Sequence, residues 1–210
     1  MTEVGLRARK KLETRQQIVG VATELFAERG FDDVTVAEIA RAAGVSEKTV
    51  FNYFGTKEDL IFGGLDDFSA DLLLVVRDRA AGVSPFEAFG DFVVRPRGLL
   101  NAEDPQAMER LAVIARIIGS SAALQARQRQ LFEASADRLA TLLADDADRD
   151  VAAAVVANAM VGVLRAMQGY LHRAVLDGRR GPDLVEDVLA QGRHAVEVLA
   201  RGLADYGEES

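Results

Sequence analysis

Apolar residues recur three and four apart along most of the 210-residue chain, and the alternation of a β-strand is nowhere sustained. This pattern predicts an all-α protein of about nine helices. Ile18, Ala22, Leu25 and Phe26 mark one face of a first helix over about Lys10–Arg29, closed by Gly30. Thr35-Val36-Ala37-Glu38 has the form of a capping box, in which the Thr hydroxyl accepts from a backbone N–H three residues on and the Glu reaches back. Ile39, Ala40 and Ala43 follow at helical spacing. Gly44 suits the left-handed backbone that ends a helix, and Ser46 is an N-cap for the next one. In that third helix Val50 and Phe54 face inward, while Lys48, Thr49, Asn52 and Tyr53 fall largely on other faces.

Further along, Thr56–Asp59 repeats the box and opens a fourth helix over about 57–80. Ser84-Pro85-Phe86-Glu87 starts a fifth, with Pro at its first helical position, and Arg95–Gly98 breaks it. Asp104-Pro105 starts a sixth that reaches about Ile118, and Gly119–Ser121 separates it from a seventh ending near Ala144. After the acidic stretch 145–150, an eighth runs to about Leu176. A Gly- and Arg-rich turn then leads to a ninth over about 183–204, and residues 206–210 form a frayed tail.

Two helices joined by a short Gly turn make a helix-turn-helix, whose second helix enters the major groove of DNA. A plain helical hairpin in a core is the alternative. It leaves unexplained why so short a second helix exposes donors and acceptors suited to phosphates and base edges.

At these residues the chain resembles the TetR-type transcriptional repressors. The resemblance is carried by TRQQIVGVATELFAERGFDDVTVAEIA (14–40) and AGVSEKTVFNYFGTKEDLI (43–61). Leu25, Phe26, Gly30, Phe31, Tyr53, Phe54, Lys57 and Leu60 fill the family's "LF…GF" and "YF…K…L" places. It implies a DNA-binding domain over 1–56 and a helical ligand-binding and dimerisation domain over 57–210. It also implies that Lys48, Thr49, Asn52 and Tyr53 occupy groove or backbone-contact places, and that Thr35 and Lys57 reach phosphates. Asn52 suits a bidentate pair with adenine. Glu47 has the chemistry to accept from cytosine N4, but reads rather as a charge at the helix N-terminus. Phe51 stands where the family usually has Tyr, which removes a hydroxyl able to bond a phosphate, so it is left off the contact list.

A net charge of −8 looks wrong for a DNA binder until its distribution is read. Residues 1–58 hold nine Lys+Arg and nine Asp+Glu, whereas 59–210 hold 16 and 24. All four lysines (Lys10, Lys11, Lys48, Lys57) lie in the first part. Residues 7–15 carry five cations against one acid, Glu13. Such a basic segment ahead of a helix-turn-helix favours phosphate contact, and an acidic body is repelled by DNA.

There is no cysteine, which excludes disulfides, thiolate nucleophiles and cysteine metal sites. Arg7, Arg9, Lys10 and Lys11 are followed by no apolar run, so no signal peptide is expected. The near-apolar run Val151–Leu164 is too short to span a bilayer and contains Asn158. The expected location is cytoplasmic, with no membrane partner. His172 and His194 stand in no metal-ligand spacing, and no phosphate loop appears, so neither a metal, a cofactor nor catalysis is expected.

The eighth helix is apolar all the way round between Asp150 and Arg165, which calls for burial on more than one side. Ala154, Asn158, Gly162 and Ala166 form a four-spaced stripe of small residues allowing close approach. By resemblance, the last two helices pair with those of a second copy. Phe89, Phe92, Met108 and Leu111 read as core, or as walls of a cavity for a small apolar or amphipathic effector. Arg116, Asn158, Arg165, Gln168 and His172 are the candidate polar groups within it. The expected function is a ligand-responsive homodimeric repressor on a palindromic operator. An activator, or an architectural DNA-binding dimer that senses no ligand, is the alternative.

Overall fold

The computed structural model describes residues 3–95, 107–144 and 151–202. The expected helix start at Asp104-Pro105, the break over 96–98, the acidic stretch 145–150 and the tail lie outside them. The described residues form α1 (Glu3–Arg29), α2 (Val36–Ala42), α3 (Glu47–Tyr53), α4 (Asp59–Arg77), α5 (Pro85–Val93), α6 (Ala107–Ser120), α7 (Ala122–Leu143), α8 (Val151–Leu176) and α9 (Pro182–Gly202). The all-α expectation holds.

Among the boundaries that differ from the sequence reading are the starts of α1 and α4, and α4 also ends earlier, at Arg77 rather than near 80. α1 begins at Glu3 rather than near Lys10. Its apolar periodicity starts only at Ile18, and upstream the helix runs through good helix formers with an exposed Arg9–Glu13 pair at i,i+4, 3.1 Å apart. The basic segment is therefore helical. α4 begins at Asp59, two residues after the expected start. Asp59 N–H donates to Thr56 Oγ1 (3.3 Å) and Thr56 N–H to Asp59 Oδ2 (2.9 Å). That exchange is the expected box, but it closes a tight turn, Leu60 N–H to Lys57 O, before regular helix begins.

The chain divides into two compact units: Met1–Gly64 with Val113–Arg127, and Leu65–Ala112 with Gln128–Ser210. These units and the sequence segments 1–56 and 57–210 divide the chain differently. In the first unit, Ile18, Ala22, Phe26, Phe31, Val34, Ile39, Val50 and Phe54 are buried, with Phe26 and Phe31 rings 4.9 Å apart. The 113–127 segment supplies buried Ile117, Ile118 and Leu124. Ser121 Oγ donates to Asp32 (3.4 Å), and Arg127 pairs with Asp59 (3.2 Å). In the second unit, α5 packs on α8 and α9, and α8 on α9. Phe89 and Phe92 are fully buried there among Leu72, Val76, Phe132, Leu139, Val156, Ala157 and Met160.

α8 is 26 residues long and, by length and composition, apolar enough to cross a membrane. The run Val151–Leu164 underestimated it, because the helix continues through Met167 and Leu171. One face of α8, with Ala153, Val156, Ala157, Met160, Val161 and Val163, is buried in the core. The other carries Asn158, Arg165 and Arg173, all exposed. The α8–α9 turn is pinned by side chains. Tyr170 donates its hydroxyl to Asp187, and Arg179 bridges to both (2.8 Å to Asp187). The Tyr170 hydroxyl and then the Arg179 guanidinium hold the Asp187 carboxyl below its ordinary range.

Caps fix the N-terminal helices. Thr35 and Glu38 form both bonds of the box, with Glu38 N–H to Thr35 Oγ1 at 3.3 Å and Thr35 N–H to Glu38 Oε2 at 2.9 Å. Arg29 adds a 2.8 Å bond to the Glu38 carboxylate. These donors, the Thr35 backbone first and then Arg29, pull the Glu38 pKa from its ordinary 4.5 to about 2. Gly44 sits at φ +65°, where a side chain is disfavoured, and turns the chain from α2 toward Ser46.

Because the Glu38 pKa is depressed by folding, its contribution is present above pH 4.5 and is lost as the pH falls toward about 2. In urea unfolding, Glu38→Gln is expected to be less stable than wild type at neutral pH, and the gap to close across that window. A gap independent of pH overturns the assignment. Phe89→Ala, emptying a fully buried site, is expected to cost about 3–5 kcal/mol by the same measurement.

Candidate nucleic-acid interface

α3 spans only seven residues and buries Val50 alone within them, with Phe54 closing its end. At 100° per residue, Asn52 stands opposite the stripe made by Val50 and Phe54, with Lys48 beside it. Thr49 and Tyr53 lie on one flank and Glu47 and Phe51 on the other. Lys48 and Asn52 are exposed and carry no hydrogen bond or ion pair among the described residues. They are a donor cation and an amide with no structural task, the chemistry that reads base edges or phosphates.

The other candidate contacts are more committed. Ser46 caps α3 by accepting from Thr49 N–H (3.0 Å), and its hydroxyl meets Thr49 Oγ1 at 2.8 Å. Thr49 is half-buried and serves the cap as well as the face. Tyr53 is half-buried, with its ring 6.4 Å from Phe54. Thr35 is exposed, but its hydroxyl proton goes to Glu38 Oε2 (2.8 Å), so a phosphate contact there requires it to leave that bond. Lys57 is half-buried, and its Nζ lies 4.2 Å from the centroid of Phe31 and 5.8 Å from that of Phe26. Its charge is therefore held at one place by the rings rather than sweeping through solvent.

Several supporting residues carried no local signal. Gln17 Nε2 donates to Ala43 O (3.1 Å) and ties α1 to the α2–α3 turn. Arg29 links the end of α1 to Glu38 at the start of α2 and donates to Asp33 O (3.0 Å). Arg15, counted among the cations of the basic segment, packs over the Phe54 ring at 5.5 Å. A Cβ on Gly63 would stand 2.5 Å from the Arg15 guanidinium, so glycine there leaves room for it. Lys10 and Lys11 remain exposed on α1.

The candidate effector residues stand in different surroundings, each within its own unit. Phe89 and Phe92 are core, with Phe68 against Phe92 at 4.9 Å. Met108 and Leu111 are buried on α6. Arg116 is exposed and belongs to the first compact unit. Arg165 is exposed on α8, and Asn158, also exposed, returns its Nδ2 to Ala154 O (2.8 Å) of its own helix. Gln168 and His172 are half-buried, and burial holds His172 below its ordinary pKa, favouring the neutral ring. An open groove of about 630 Å³ between α4 and α7 is lined by Ala70, Leu73, Leu74, Arg77, Arg138, Thr141 and Leu142.

Residues 18–62 match the family described as "Bacterial regulatory proteins, tetR family". The chain is 36% identical to the HTH-type transcriptional regulator TcmR of Streptomyces glaucescens over 84 residues, which are 40% of this chain and 37% of TcmR. The chain thus spans well under two thirds of that relative's length. Two solved structures share the fold. FadR of Bacillus subtilis, in complex with stearoyl-CoA, superposes with a TM-score of 0.53 at 20% identity, over 89% of this chain and 98% of that one. The SmeT–triclosan complex superposes with a TM-score of 0.56 at 19% identity, over 90% and 91%. At such identities these two establish the fold alone. The matched family and TcmR are regulators of transcription, not enzymes. The helix-turn-helix of α2 and α3 lies within the 18–62 match, so this segment of the chain is similar to the TetR-type bacterial regulatory proteins.

Proposed function

We propose that the protein is a homodimeric, ligand-responsive transcriptional repressor acting in the cytoplasm on a palindromic DNA operator. The observation that carries the DNA half is the outward face of α3, where Lys48 and Asn52 are exposed and unengaged above a single buried valine. Each subunit lays α3 in the major groove of one half-site. Asn52 pairs with an adenine edge, Lys48 with a base edge or phosphate, and Tyr53 and Thr49 with the backbone. Lys57, steadied over Phe31, offers a fixed charge to a phosphate, as do Lys10 and Lys11. Thr35 supplies a further phosphate contact once its hydroxyl turns from Glu38. In this reading residues 1–56 bind DNA, and 57–210 sense the effector and dimerise.

The dimer half is supported by α8 and α9. Val151 is 76% exposed and Val155 56% on α8, and Val198 is 52% exposed on α9. The small stripe of Ala154, Asn158, Gly162 and Ala166 lies half-buried or exposed alongside. Apolar and small side chains so arranged suit close packing of α8 and α9 against a second copy. This use of α8 also accounts for its apolar length without a membrane.

An effector is supported by the ligands of the two neighbours in fold, stearoyl-CoA for FadR and triclosan for SmeT. By that analogy the effector here is small and apolar or amphipathic, and it enters the helical region around Phe89, Phe92, Met108 and Leu111. Binding favours a conformer whose two α3 helices no longer match successive major grooves about 34 Å apart. A differential affinity of a few kcal/mol is enough to empty an operator. α4 begins in the first compact unit and continues into the second, so it is one covalent path for such a change, as are α6 and α7.

Operator duplexes selected from random DNA give the test. Asn52→Ala is expected to lower specific affinity by about 1–3 kcal/mol while leaving non-specific binding nearly intact. Lys57→Ala is expected to weaken both and to reduce the salt slope by about 1. It also loses its contact with the rings, about 0.5–1 kcal/mol of stability. Unchanged DNA affinity in both variants sinks the docking scheme. Light scattering at micromolar concentration is expected to give twice the chain mass, and a monomer there rules out the dimer.

A further inference from the structure

Among the described residues, Phe51 is the large aromatic that the fold leaves most exposed. It is 51% exposed, whereas Phe26, Phe31, Phe54 and Phe62 of the same compact unit are each 3% exposed or less. On the helix it lies 60° from Lys48 and 100° from Asn52, on the flank between the outward arc and the buried stripe. About half of its surface is left in water, where it gains nothing from burial in its own subunit. On its outward side stand Lys48 and then Asn52, the two side chains that have no structural task, and Glu47 shares its flank.

A phenyl ring has no donor or acceptor for a phosphate oxygen. In the major groove every base pair displays donors and acceptors, and A·T pairs alone add a methyl group, the 5-methyl of thymine. A ring placed beside an amide and a cation therefore has one complementary partner among the base edges. We propose that Phe51 is a specificity-determining residue that packs on a thymine 5-methyl within each half-site, next to the bases met by Asn52 and Lys48. The inference rests on α3 entering the major groove, and it adds a preference that hydrogen bonding by Lys48 and Asn52 does not impose. The juxtaposition also has a kinetic sense. The ring is already exposed in the free protein, so no core contact is broken when it docks.

The decisive experiment removes the methyl and nothing else. A duplex selected by the wild-type protein from random DNA is resynthesised with each thymine in turn replaced by uracil, and affinities are read by fluorescence anisotropy. Burying one methyl corresponds to about a fourfold change in Kd. One thymine per half-site is expected to lose that factor on replacement. Phe51→Ala is expected to bind the thymine and uracil duplexes equally, and Phe51→Tyr, which keeps the ring, to retain the discrimination. Melting followed by circular dichroism is expected to be unchanged in both variants, since the site is on the surface. If the wild-type protein binds its duplex but no uracil position matters, the proposal is overturned while the groove-docking reading stands. The same holds if uracil sensitivity persists in Phe51→Ala. If the wild-type protein selects no duplex, the groove-docking reading itself falls.

Discussion

A helix of two turns cannot hold itself together in water, because nucleation fixes several residues for each early hydrogen bond gained. α3 is such a helix, and its outward arc buries nothing. Its stability must come from outside its own length. Ser46 supplies an N-cap, Phe54 packs its far end under Arg15, and Gln17 holds the turn before it through Ala43. Most of the first compact unit can be understood as a mount for seven residues. α1 is 27 residues long, nearly four times the length of the element it supports. The cations at its solvated start and the aromatic residues at its buried end serve the same object from two sides.

That dependence explains which parts could be read from sequence. Caps, Gly44 and the inward pair Val50 and Phe54 are local rules, each complete within four or five residues, and they stand where the pattern put them. The helical extent of the basic segment was missed because helix propensity acts without hydrophobic period there. The location of Lys57 over Phe26 and Phe31 was missed because a lysine's stem can fold over a ring or reach away, and only tertiary packing decides. The recruitment of 113–127 depends on pairs such as Asp32–Ser121 and Asp59–Arg127, separated by 89 and 68 residues, for which no short-range signal exists.

The candidate effector residues illustrate the opposite limit. α8 is apolar on both faces, so period alone cannot say which polar residue looks inward. Asn158 and Arg165 proved to lie on the exposed side, with Ala157, Met160 and Val161 on the buried one. An apolar helix with two claims on it, one from its own core and one from the surface, is legible as unusual but not as oriented. The aromatic candidates fared differently because Phe89 and Phe92 sit on a short helix with a strong single-sided pattern.

The first compact unit is discontinuous along the chain: Met1–Gly64 is completed by Val113–Arg127. The family match ends at residue 62, well before that second piece. A graft that moved only the amino-terminal segment onto a foreign body would leave Asp32 and Asp59 without Ser121 and Arg127, and the unit without its buried Ile117, Ile118 and Leu124. The corner between α6 and α7 is thus the part of the carboxy-terminal sequence least free to drift. Its side chains must stay matched to partners on the other segment, so change there is expected to be compensated in pairs.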